Sequence, residues 1–337
     1  TSSTPVPSVA TSSTRAASAT SQAARDLPDP HTLRGLTEVP ELPDPKPVEG
    51  SSAQKLPVTV TDVEGNKVTI KSTSRILALD LYGTLSRTLI GLGLGDKIVG
   101  RTVSSTEKQL HDRPVVTENG HVLNVEAVAG LKPSVIIADR SVGPKEALDQ
   151  LRKSGIPVVL VDPHRSVGST PQLIRTIADA VGKPDAGEAL VKRTQEQIDQ
   201  AKKQIAAWKP AKPMRVAFLY VRGNAGVFFI LGSENGASEL IQGVGADDVA
   251  SDKGITTLVP ANAESLVSIN PDAIFVMRDG LASTGGMKGL LARAGVANTT
   301  AGRKQRVISI PDGISLSFGP QTGEVLTAVA KALYGVK

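Results

Sequence analysis

The chain has 337 residues, a formal charge of +5 and no cysteine. At roughly 100–200 residues per domain the length predicts two domains, and the missing thiols exclude a disulfide scaffold, a thiolate zinc site, an iron–sulfur cluster and a cysteine nucleophile. With only 5 Phe, 3 Tyr and 1 Trp beside a modest basic excess, no interleaved basic and aromatic surface for nucleic acid is visible, and no apolar run reaches the roughly 18 residues of a membrane span.

Residues 1–56 read as a disordered stalk. Positions 1–50 are dominated by Ser, Thr, Pro and Ala and hold no aromatic residue, too little apolar surface to offset chain entropy. Such a start suits a spacer from a lipid anchor on the outer face of a membrane, lost from this form. It equally suits a plain disordered end.

The N-terminal lobe, residues 57–182, opens with Val58–Thr61 and Lys67–Ile70, alternating β-branched runs around a Gly-Asn turn that predict a hairpin. Ile76–Leu79 is a short apolar strand, 84–92 a helix closed by glycines, and Ile98-Val99 a further strand. Val135–Ala138 and 158–161 flank a helix at 144–154 and are continuous apolar runs, the kind buried on both faces of a parallel sheet. Residues 183–210 break this rhythm. Leu190, Val191, Ile198 and Ile205 recur at helical multiples with few breakers, so one helix of roughly 35–40 Å is expected, long enough to lie along two lobes. The C-terminal lobe, residues 211–337, resumes with strands at 214–220, Val227–Ile230, Ala273–Met277 and Val307–Ile310. Its helices fall at Ala237–Gly243, Ala263–Ile269 and 321–333. Strands alternating with helices predict an α/β class.

The halves repeat one module. Asn124, Glu126 and Pro133 correspond to Asn262, Glu264 and Pro271, all three at one constant interval. Asn is a good helix N-cap, Glu two residues later meets the positive helix end, and proline ends the short helix before a buried strand. A repeated module in two α/β lobes predicts a bilobed molecule with a ligand cleft between the lobes.

These residues carry a resemblance. Arg75-Ile-Leu-Ala-Leu79, Leu92-Gly-Leu-Gly-Asp-Lys-Ile-Val-Gly100 and Leu131-Lys-Pro-Ser-Val-Ile-Ile137 resemble N-lobe signatures of the bacterial substrate-binding proteins that serve siderophore, cobalamin and haem ABC importers. Ser265-Leu-Val-Ser-Ile-Asn-Pro-Asp-Ala-Ile-Phe-Val276 resembles the C-lobe counterpart. The resemblance implies two Rossmann-like lobes joined by one long helix. It also implies that Glu126 and Glu264, one per lobe, dock onto the permease of a permease–ATPase complex. The alternative reading of both is helix-end electrostatics, worth about 0.3–1 kcal/mol. Arg87 departs from the pattern, since many relatives place Glu there.

In such folds the loops at the C-terminal ends of parallel strands face the ligand. Tyr220 and Arg222 end one strand, and period-two alternation puts them on one face. A guanidinium beside a phenol favours the phenolate, a hard donor for ferric iron, and tyrosine is a known haem ligand. Alternatively the pair is a tyrosine at the rim of the core with an arginine covering it. His121 follows Glu118-Asn119-Gly120, a turn that can hold an imidazole outward, and imidazole is the commonest metal ligand among side chains. His164 is its rival, while His31 sits in the stalk and His111 in a polar loop. The haem branch of the family includes hemin-binding lipoproteins of Gram-positive bacteria of the HmuT type. The resemblance implies His121 and Tyr220 as axial ligands of one haem, with Arg222 tuning Tyr220. Met277 and Arg278, and more weakly Met287, are placed to touch the macrocycle or a propionate.

The expected protein is therefore an extracytoplasmic haem-binding component of an ABC importer, with haem as cargo. The alternative is a ferric-siderophore or cobalamin binder of the same fold. An enzyme is not expected: no Gly-x-Gly-x-x-Gly follows a strand, and no phosphate loop, metallohydrolase motif or nucleophile elbow is present.

Overall fold

A computed structural model describes residues 26–50 and 53–337. Positions 1–25 of the expected stalk lie outside the described residues. The strands are β1 (Leu36–Glu38), β2 (Val58–Thr61), β3 (Lys67–Ile70), β4 (Ile76–Leu79), β5 (Ile98–Gly100), β6 (Thr117–Glu118), β7 (Val122–Leu123), β8 (Val135–Ala138), β9 (Val158–Leu160), β10 (Arg215–Arg222), β11 (Val227–Ile230), β12 (Asp247–Asp248), β13 (Val259–Pro260), β14 (Ala273–Met277) and β15 (Val307–Ile310). The helices used below are α1 (Thr84–Gly91), α2 (Val125–Gly130), α3 (Lys145–Lys153), α4 (Thr170–Ala180), α5 (Pro184–Trp208), α6 (Ala237–Gly243), α7 (Ala263–Ile269), α8 (Arg278–Ser283), α9 (Gly286–Ala292), α10 (Asp312–Ser315) and α11 (Thr322–Tyr334).

Two large sheets form, one per lobe, beside the two-stranded pairs β2–β3 and β6–β7. The first is wholly parallel in the order β5-β4-β8-β9. Every residue of β4, β8 and β9 is buried, as their uninterrupted apolar runs require with helices on both faces. The second runs β1-β15-β14-β10-β11-β13, with β12 also on β10. Its members β1, β15, β14 and β10 are parallel, β11 runs antiparallel to β10, and β13 pairs antiparallel with β11. The hairpin β2–β3 forms as expected, and the carboxylate of Asp62 closes its turn by accepting from the amides of Glu64 and Asn66 at 3.0 and 2.9 Å.

The long helix α5 joins the lobes. Its apolar stripe is divided: Leu190 and Val191 belong to the N-lobe core, and Ala201 and Ile205 to the C-lobe core. At 25 residues and 1.5 Å per residue it spans about 37 Å.

The expectation of a disordered stalk to residue 56 is corrected for residues 26–50. Leu36–Glu38 is an edge strand of the C-lobe sheet, and Val39 donates its amide to Ser309 O at 2.8 Å. The segment then crosses to the N-terminal lobe. Asp44 accepts from the amides of Lys108 and Gln109, both at 2.8 Å, and Val48 donates to Gly91 O at 2.9 Å. Val39 and Val48 are buried in opposite cores. Proline-rich chain has little conformational freedom to lose, so a few anchors hold it, and the lobes gain a second covalent crossing beside α5.

The repeated module reaches the backbone. Asn124 accepts from Ala127 N at 3.0 Å and Asn262 from Ser265 N at 2.9 Å. Lys132 and Asn270, related by the same interval, adopt positive φ of 49° and 38° just before the matching prolines. Among the described residues no helix is long and apolar enough to cross a membrane.

Candidate functional site

The C-terminal edges of the two sheets face each other. The loop after β4 meets the loop after β15, where Thr84 Oγ1 donates to Ser317 O. Arg87, the departure noted in the sequence, is buried at this seam. It donates to Gln321 Oε1 at 2.6 Å and lies 3.4 Å from the buried carboxylate of Glu107. Burial holds that carboxyl above its usual range, against the pull of Arg87.

On the C-lobe wall β10 alternates buried Leu219 and Val221 with half-buried Tyr220 and Arg222. The guanidinium of Arg222 lies over the Tyr220 ring, 4.9 Å from its centroid. Asp312, at the start of α10, accepts from Arg222 Nη2 at 2.7 Å and from the amide of Asp279 at 2.8 Å. Met277, the last residue of β14, brings its sulfur to 3.5 Å from the same nitrogen. Arg222 is thus held between carboxylate, thioether and ring. Arg278 turns instead to Glu41 of the N-terminal segment, at 2.6 Å. Met287, on α9, packs against the C-lobe core.

On the N-lobe wall β6 and β7 form a small hairpin whose tip is Asn119-Gly120-His121. Asn119 and Gly120 take positive φ of 51° and 89°, which Asn and Gly tolerate best, and His121 is exposed. Leu81 and Val103, from the loops beside it, are large apolar side chains left exposed at 39 % and 46 %. His164 is exposed, its amide donating to Asp162 at 2.8 Å.

Beneath these lies a buried cluster. Arg165 Nη2 reaches Asp80 at 3.0 Å and Asp139 at 2.5 Å, its Nε donates to Thr84 Oγ1 at 3.0 Å, and its guanidinium lies over the Tyr82 ring, 5.4 Å from the centroid. Burial, reinforced by the charge of Asp80, pushes Asp139 up to about 6. Burial and the charge of Asp139 raise the Tyr82 phenol above its ordinary value.

The structure brings together Tyr220, Arg222 and Met277. It places His121 on the facing lobe, and Glu126 and Glu264 exposed in the first turns of α2 and α7 with no ionic partner among the described residues. Glu41, Asp139 and Arg165 escape the sequence reading, whereas Asp80, Tyr82 and Asp312 fall within loops expected to face the ligand, 80–83 and 311–314, but without a role of their own. Tyr82 alone carried a further signal, since it precedes Tyr220 by the same interval that separates Asn124 from Asn262. A cavity of about 830 Å³ between α5 and α11, bordered by Arg193, Gln197 and Lys331, shares no residue with this site.

The periplasmic binding protein family model matches residues 81–313. A crystal structure of the haem-binding protein HmuT is similar at 49 % identity over 92 % of this chain and 100 % of that one, with a TM-score of 0.90. The same protein with a tyrosine replaced by alanine gives 48 % over 96 % and 99 %, TM-score 0.91. The periplasmic haem-binding protein RhuT from Roseiflexus sp. RS-1, in apo form, gives 32 % over 78 % and 99 %, TM-score 0.73. Among curated relatives, the ABC transporter substrate-binding lipoprotein YvrC of Bacillus subtilis is 27 % identical over 82 % of this chain and 86 % of its own. A cobalamin-binding protein of Halobacterium salinarum is 24 % identical over 87 % and 78 %.

Proposed function

The chain belongs to the periplasmic binding protein family, and on that premise we propose that it is the extracytoplasmic haem-binding component of an ABC importer, a carrier rather than an enzyme. The observation that carries this reading is the Tyr220–Arg222 pair, with Arg222 stacked on the ring and fixed by Asp312. Solved HmuT structures include alanine variants of a histidine, a tyrosine and an arginine. The spacing of those three equals that of His121, Tyr220 and Arg222 here. Among the described residues no three His, Asp or Glu cluster to hold a bare metal. An iron whose equatorial positions a macrocycle fills needs only axial donors, which a phenolate and an imidazole on facing walls can supply.

In this reading haem enters between Leu81 and Val103 on one lobe and Tyr220 on the other. Tyr220 binds the ferric iron as phenolate, releasing its proton, and Arg222 keeps positive charge beside the ring. His121 takes the opposite axial position from the hairpin tip, and Met277 borders the macrocycle. Arg278 approaches a propionate only by leaving Glu41. Glu126 and Glu264 present the loaded lobes to the permease–ATPase complex, and an N-terminal lipid anchor, in keeping with the lipoprotein relative, tethers the protein to the membrane's outer face.

Hemin titration of the purified protein, followed in the Soret region, tests the reading. Saturable binding lost in Tyr220→Ala is expected, and no spectral change with the wild-type chain would sink it. Cobalamin binding with no hemin binding would favour the ligand of the Halobacterium relative instead. Charge reversal at both Glu126 and Glu264 is expected to abolish uptake and leave hemin binding intact.

A further inference from the structure

The C-lobe segment from Asp312 to Gln321 is gripped by the other lobe along its length. Thr84 Oγ1 donates to Ser317 O, Thr170 Oγ1 shares its proton between Ser166 O at 2.8 Å and Phe318 O at 3.2 Å, and Arg87 Nη1 donates to Gln321 Oε1 at 2.6 Å. Gly313 lies so near Thr106 that a Cβ there would fall 1.8 Å from its Oγ1. Phe318 is held at φ 39°, a left-handed conformation that a bulky side chain adopts only when its surroundings impose it. The first residue of this same segment is Asp312, which fixes Arg222 on Tyr220 and also accepts the amide of Asp279.

We propose that this segment couples contact between the lobes to the Tyr220 site, and that Thr84 is a positioning residue for Tyr220 acting through it. With the lobes in contact, the grips at Ser317, Phe318 and Gln321 set the start of α10, Asp312 seats Arg222, and Arg222 sits on the phenol ring. Prying the lobes apart frees the segment, Asp312 moves away, and Arg222 loses its anchor. The bond from Tyr220 to its ligand weakens at the moment the permease separates the lobes. Thr84 is well placed for this, because its hydroxyl also accepts from Arg165 of the buried N-lobe cluster at 3.0 Å. This inference rests on the haem reading for its ligand, though not for its geometry.

The test is a double-substitution cycle, which separates coupling from independent effects. In hemin-loaded protein, Thr84→Val and Asp312→Asn are each expected to speed transfer of haem to an excess of an acceptor apoprotein by roughly 2- to 30-fold, the range such couplings reach. Each should also shift the tyrosinate-to-iron absorption, and the double variant should be no faster than the faster single. Thr84→Ser should restore wild-type behaviour. In apoprotein, hydrogen exchange at the Asp279 amide should quicken in both single variants, a readout that needs no ligand. Multiplicative rates in the double variant, or unchanged release and exchange in Thr84→Val, overturn the coupling. Accelerated exchange in a chain that binds no hemin keeps the coupling and discards the haem reading. Should Thr84→Val fail to fold, Thr170→Val tests the second grip in the same way.

Discussion

Tyr82 and Tyr220 occupy matching places in the repeat, one just after β4 and the other near the end of β10, and each carries a guanidinium over its ring. The two units have the same parts and opposite surroundings. Arg165 and its two aspartates are at most 2 % exposed, whereas Arg222 and Asp312 retain 34 % and 20 %. In the first, two carboxylates share one cation in a dry site, and the neighbouring phenol is pushed further from ionisation. In the second, one carboxylate seats one cation that faces the open wall. Burial turns the same residues into a structural staple on one side and, on the other, leaves cation and carboxylate partly exposed beside the phenol proposed to hold haem.

The largest separation between the units should appear in stability. Arg165→Met strands Asp80 and Asp139 without their cation, and breaking a buried pair from one side costs roughly 3–5 kcal/mol. Arg222→Met removes a partly exposed pair and should cost under about 1 kcal/mol. Urea unfolding of both variants measures this, and equal losses would erase the distinction.

Next is ligand binding. Tyr220→Phe should weaken hemin binding by on the order of 100-fold or more, since even outer-shell changes cost about 10- to 100-fold. Tyr82→Phe should change it by less than about 3-fold, as its phenol is held neutral and half-buried. A Tyr82→Phe loss as large as that of Tyr220→Phe would make the buried unit a ligand site as well.

Much of this contrast was legible in the chain, though unevenly. The strands β4, β8, β14 and β15, the helix α5 and the two Asn-capped modules rest on local periodicity and capping, which a single sequence displays. Residues 26–50 rest on long-range bonds instead, such as Val39 to Ser309 and Asp44 to Lys108, and their composition alone spells disorder. Arg165 meets Asp80 across 85 positions and Arg222 meets Asp312 across 90. No spacing rule joins residues so far apart, so the anchors of both tyrosines stayed hidden. The Tyr82–Tyr220 interval was the exception, readable once the repeat was known.

A smaller effect separates the units by pH. The folded protein holds a proton on Asp139 more tightly than an unfolded chain does, because its pKa rises from 3.8 to about 6. The stability this proton confers is complete below about pH 4 and is lost as pH rises through about 6. Subtracting the Asp139→Asn unfolding profile from that of the wild type should therefore leave a decline between about pH 4 and 6. A flat difference would mean that Arg165 keeps Asp139 ionised throughout.

Two glycines set how close each unit packs. A Cβ at Gly83, next to Tyr82, would lie 2.4 Å from Ser104 O, on a backbone of φ +76°. Gly83→Ala meets both a carbonyl and an unfavourable conformation, so it should cost about 1–3 kcal/mol of stability. A Cβ at Gly280 would lie 2.1 Å from Arg222 Nη1 and 2.6 Å from Val221 O. The guanidinium, at the end of a flexible side chain, yields more readily than the carbonyl, so Gly280→Ala should push Arg222 off the Tyr220 ring. Hemin affinity is then expected to fall a few-fold, on the scale of a lost outer-shell contact, with a smaller change in unfolding midpoint than Gly83→Ala. Were Gly280→Ala to lower stability while leaving affinity intact, the position of Arg222 over the ring would be a packing detail, and the two tyrosine units would differ in exposure alone.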